Sequence, residues 1–132
     1  MTIELQMLVL VSLLSVALAF PPLIGLILHR GFSYASGNRD EGLSLPPWAD
    51  RAERAQRNLL ANLPAFAALV LVAAVAGISS EATASGAQLF FWARLAHAVA
   101  YTAGIPYLRS AAFIASLVGM LRIASQIWST IP

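Results

Sequence analysis

Cysteine is absent from this sequence, and so is lysine. Without cysteine there is no disulfide, no thiolate metal site and no cysteine nucleophile; no metal site is expected. Charge is scarce too. Only 11% of the residues are charged, against about 25% in a typical soluble domain. A soluble helical bundle needs a polar face on every helix, and too few charges remain to supply such faces. With 59% of the residues hydrophobic, the solvent for most of the surface is lipid. No basic cluster stands on a soluble face, so nucleic acid is not an expected partner.

A further absence concerns position. All six acidic residues (Glu4, Asp40, Glu41, Asp50, Glu53 and Glu81) lie outside the central apolar runs. A small proton-coupled exporter would want a carboxylate inside the membrane, so a transporter is disfavoured.

What is present is a set of long apolar runs. The chain reads as one all-α domain over residues 1–132, an integral membrane four-helix bundle. The uncharged run from Leu5 to Leu28 exceeds the roughly 7–15 residues of a signal-peptide core and lacks a basic start, so it reads as a retained helix. That first helix is expected over residues 3–29, kinked at Pro21-Pro22. Turn-forming residues make 30–47 a loop. A second helix is expected over 48–78, with Pro64 as another kink. It is long enough for its first turns to project beyond a hydrocarbon core of about 30 Å. Residues 77–86 read as a loop, 87–103 as a third helix and 107–129 as a fourth.

All eight basic residues are arginine. Arginine suits bidentate binding of carboxylate or phosphate; before position is considered, a GC-rich genome is the better explanation of the bias. Spacing carries more. Arg51, Arg54, Asn58 and Asn62 follow at steps of three or four and share a helix face, as do Arg94, His97 and Tyr101. Ionisable side chains in a membrane are costly and point to function, although a purely structural hydrogen-bond network is the alternative. Arg94 is expected to be structural, paired with a carboxylate such as Glu53 or with carbonyls, and Arg122, with only Gln126 near its face, likewise. Arg51, Arg54, Arg57, Asn58, His97, Tyr101 and Arg109 map to one end of the molecule. Too few carboxylates accompany those arginines, which suggests either an anionic ligand or solvation among lipid headgroups.

The stretch 51–64 (RAERAQRNLLANLP) resembles the second-helix signature of the MAPEG family, membrane-associated proteins in eicosanoid and glutathione metabolism. The stretch 94–101 (RLAHAVAY) is similar to its third-helix signature, especially in the prostaglandin E synthase branch, and Arg109-Ser110 continues the match. Residues 37–40 (GNRD) resemble bacterial members. The resemblance implies a homotrimer of four-helix subunits in a membrane, bacterial members sitting in the inner membrane. It also implies glutathione as cosubstrate, bound between subunits, and a lipophilic small molecule as second substrate. Carried over by motif position, Arg30, Arg57, Asn58, His97 and Tyr101 would bind glutathione, and Arg109 and Ser110 would serve its thiolate. Two features depart from the pattern. Ala61 stands where the family has a glutamate, and the turn between Tyr101 and Arg109 is one residue shorter than in the prostaglandin branch. A member that keeps the fold without using glutathione is the alternative reading. The arginine-free loop at 77–86, set against the arginine-rich 30–57, places the latter in the cytoplasm.

Overall fold

The computed structural model describes every residue, Met1–Pro132, and contains helices only: α1 (Ile3–Ala17), α2 (Phe20–Arg30), α3 (Phe32–Ser36), α4 (Pro47–Val75), α5 (Glu81–Ala103) and α6 (Pro106–Trp128). Three segments are long and apolar enough to cross a membrane: Ile3–Arg30, Pro47–Val75 and Pro106–Trp128. The chain is an integral membrane protein.

The first span breaks earlier than the proline pair itself. A proline removes the bond to the carbonyl four residues back and crowds it, so Pro21 and Pro22 act on Ala17 and Leu18. There α1 ends: the Leu18 amide still reaches Leu14 (2.9 Å), and the Ala19 amide tightens to Val16 (3.1 Å). The chain restarts at Phe20 with proline in the first turn, where a missing N–H costs nothing. Pro64, in contrast, lies inside an unbroken α4.

Residues 81–86, expected to be loop, form the first turns of α5. Ser80 caps the helix: its Oγ accepts from the Thr83 amide (3.2 Å) and Thr83 Oγ1 accepts from the Ser80 amide (2.8 Å), a reciprocal box that starts helices. Gly86 is therefore helical. Its function is packing: a Cβ there would lie 2.7 Å from the Gly119 carbonyl oxygen, and one at Gly119 would lie 2.6 Å from that of Gly86. Only glycine lets α5 and α6 approach backbone to backbone. The short α3 occupies part of the expected 30–47 loop.

Helix α5 packs against α1, α4 and α6, which makes it the central helix. The core joins Val11, Leu59, Phe66, Val70, Ala87, Phe90 and Ile123; the Phe66 and Phe90 rings stack at 4.0 Å. By contrast α1 buries only Glu4 and Val11 and exposes Val9, Leu13 and Val16, a surface suited to lipid. Being covered by its neighbours, α5 can carry polar residues that a lipid-facing helix could not. That cover is the physical reason it falls outside the three strongly apolar segments.

Candidate functional site

Five sequence-predicted residues meet at one end of the structure. Asn58 of α4, His97 and Tyr101 of α5, and Arg109 and Ser110 of α6 line a cavity of about 360 Å³, closed by Phe113 and Ile114. Helical spacing stacks His97 one turn before Tyr101, their rings edge to face at 5.5 Å. The turn to α6 brings the other wall back. Gly104 takes a left-handed conformation, φ +80°, that glycine adopts without strain. Pro106 then opens α6. One turn later Arg109 lies over the Tyr101 ring, Cζ 4.5 Å from its centroid. Ser110 Oγ donates to the Pro106 carbonyl at 3.2 Å.

Arg51 steadies this turn from α4. Its Nε donates to the Thr102 carbonyl at 3.1 Å, placing a cation at the C-terminal end of α5, where the helix dipole favours it. A smaller cleft of about 150 Å³, bounded by Arg51 and Gly104, shares Tyr101 and Arg109 with the main cavity.

Arg30 and Arg57 do not join the cavity within one chain. Arg30 pairs with Glu41 and lies 4.2 Å from the centre of the Tyr34 ring, while Tyr34 donates to the Gly42 carbonyl at 2.6 Å. Arg57 pairs with Glu53 one turn earlier, at 2.7 Å. Arg54 pairs in the same way with Asp50, at 2.9 Å. The expected shortage of carboxylates is corrected for two of the four arginines it concerned: Arg54 and Arg57 have acidic partners, and Arg51 and Arg109 have none. Arg51, Arg94 and Arg109, the arginines in or beside the cavity and its turn, make no ion pair.

Of the partners expected for Arg94, a carboxylate or carbonyls, the structure supplies a side-chain carbonyl. Its partner is not Glu53, which Arg57 occupies, but Asn58: Nη2 donates to Asn58 Oδ1 at 2.6 Å. Arg94 is 1% exposed, and its Nε and Nη1 have no hydrogen-bond partner. Its guanidinium stands 5.8 Å from the Phe113 ring centre, directly behind the cavity wall. Phe113 and Ile114 were not anticipated, because nothing in an apolar helix sequence marks which turn faces a cavity. Arg122 is exposed on α6 and makes no ion pair.

No acidic residue lines the main cavity. Its polar walls offer an amide, an imidazole, a guanidinium and two hydroxyls, a set that suits carboxylate or carbonyl oxygens and gives an ammonium no ionic partner. Asn62 does not repair this, since its amide donates to the Asn58 backbone carbonyl at 2.8 Å. The MAPEG family model matches residues 5–128. The chain belongs to the MAPEG family. No curated protein and no solved structure matches it. The match spans both MAPEG-like stretches, 51–64 and 94–101, as well as Arg109-Ser110 and every residue lining the cavity.

Proposed function

We propose that this chain is a glutathione-dependent membrane transferase or peroxidase acting on a lipophilic electrophile or hydroperoxide. The observation that carries the reading is the gathering of Asn58, His97, Tyr101, Arg109 and Ser110 around one cavity, in a member of a family associated with glutathione metabolism. A thiol is a poor nucleophile and a thiolate a good one. Arg109 would hold the thiolate by charge, and Ser110 would turn from the Pro106 carbonyl to donate to it. Tyr101, His97 and Asn58 would hold the peptide's oxygens, and the second substrate would arrive through the bilayer.

The working unit in this reading is a homotrimer with four crossings per subunit. α5 is 23 residues, or about 34 Å at 1.5 Å per residue, enough for a hydrocarbon core of about 30 Å. Arg30 and Arg57, which do not line the cavity of their own chain, would reach a neighbour's. The arginine-rich end would face the cytoplasm of a bacterial inner membrane.

Ala61 supports a second reading, a non-catalytic binding or structural member. A methyl group leaves the ligand's ammonium unpaired. The test titrates glutathione into the wild type and Ala61→Glu, with Arg109→Ala as control. Ala61 is exposed in the single chain, so the longer side chain has room. The expected result is weak binding by the wild type, tightened about ten- to a hundredfold by the added carboxylate. If neither protein binds glutathione, the catalytic reading falls and the structural one replaces it.

A further inference from the structure

The contact between Arg94 and Asn58 constrains what the cavity can accept. A guanidinium has five N–H donors and no acceptor. The atom of the Asn58 amide that meets Arg94 Nη2 at 2.6 Å must therefore be its oxygen; the reversed amide would set donor against donor. The amide nitrogen is thereby turned away from Arg94. Asn58 is a wall of the cavity, and Asn58 Nδ2 donates to no protein group. Arg94 cannot turn to another acceptor, because its Nε and Nη1 are buried without one. Releasing Asn58 would leave the whole guanidinium unpaired inside the protein, a costly state. The pairing therefore acts in one direction, from a fixed cation to an oriented amide.

We propose that Arg94 is a positioning residue that holds the Asn58 amide with its nitrogen toward the cavity, so that this wall selects ligands presenting a carbonyl or carboxylate oxygen there. The proposal rests on the glutathione reading only for the choice of probe. Arg94 does not line the cavity, so it acts through Asn58.

The experiment is a double-mutant cycle read by glutathione titration, with Arg94→Leu, Asn58→Leu, the double variant and Arg94→Lys, each in lipid nanodiscs. Arg94→Leu is expected to weaken binding about tenfold, the size of one lost polar contact. Arg94→Lys, which also offers only donors, should restore most of that loss. In the Asn58→Leu background the Arg94 change should have no further effect, because there is no amide left to orient. A tenfold loss that persists in that background would show Arg94 attracting the ligand by charge, and would overturn the proposal.

A second measurement needs no ligand. In asparagine-selective ¹⁵N-labelled protein, the Asn58 side-chain signal is assigned by its loss in Asn58→Leu. Its shift and proton exchange should change in Arg94→Leu and hold in Arg94→Lys. An unchanged signal in Arg94→Leu overturns the proposal whether or not glutathione binds. A changed signal together with no glutathione binding by the wild type keeps the proposal and overturns the glutathione reading.

Discussion

The two ends of α5 treat buried polarity in opposite ways. At its N-terminal end Glu4 is buried, and every part of its setting is partnered. Thr83 Oγ1 donates to the Glu4 carboxylate, and Ser79 Oγ donates at 3.2 Å. Those same residues flank the cap of α5. One turn on from Thr83, Gly86 meets Gly119 backbone to backbone with no space between them. At the C-terminal end the polar groups are more numerous and less satisfied. Arg94 keeps one partner for three nitrogens, and a cavity opens beside it. The tight end is a clamp that holds α1, α5 and α6 in register, and the loose end gathers its polarity around the candidate site. Satisfied networks rigidify a fold, whereas partly satisfied ones are tolerated where a ligand is to be met.

The largest effect is expected at the tight end. Gly119→Leu would drive a side chain into the Gly86 carbonyl and the Phe90 amide, which lies 2.9 Å from an added Cβ. Overpacking against backbone should cost about 3 kcal/mol, seen as lost thermal stability in detergent and lower yield of folded protein. A tolerated leucine would mean that α5 and α6 are further apart than the glycine contact requires. Glu4→Ala comes next. It removes the Ser79 hydroxyl's acceptor and leaves Thr83 Oγ1 with the Ser80 carbonyl at 3.0 Å, and should cost about 2 kcal/mol in the same measurement, with glutathione affinity, read at the far end, unchanged. If affinity fell with stability, the two ends would not be separable.

Arg109→Ala should reverse that pattern. Loss of a charge-assisted contact lowers turnover with glutathione by roughly ten- to a hundredfold, while the melting temperature stays within error, since Arg109 is partnered by an aromatic face and no carboxylate. A drop in stability without a drop in turnover would place Arg109 in the framework and not in the chemistry. The smallest effect is expected at Arg54. Its pair with Asp50 is exposed and one turn apart on α4, and such pairs contribute below about 0.5 kcal/mol. Arg54→Ala should leave both stability and turnover unchanged, separating the paired arginines of α4 from those of the site.

Much of the site was legible because helical spacing is local. The stripe Arg94, His97, Tyr101 and the stripe through Asn58 each fall on one face by periodicity alone, and the gathering of five residues follows once α4 and α5 are neighbours. Pairing was not legible. Arg54 and Arg57 take the carboxylates of their own helix, so Glu53 was unavailable to Arg94, and only the helix positions show that Asn58 sits opposite. Arg30 and Arg57 were grouped with the site by motif, yet local ion pairs hold them elsewhere in the single chain.

The sequence by itself determined that the chain is helical and lipid-solvated, because composition and run length fix the solvent a surface can face. It also determined where the polar faces lie. The tertiary structure decided three things that no local pattern carries. It made α5 the covered helix, which is why that helix can be polar. It turned Gly86 from the last residue of an expected loop into a helix contact, because a glycine's meaning depends on what approaches it. It chose Asn58 as the partner of Arg94, because a buried guanidinium takes whichever acceptor the packing places within reach.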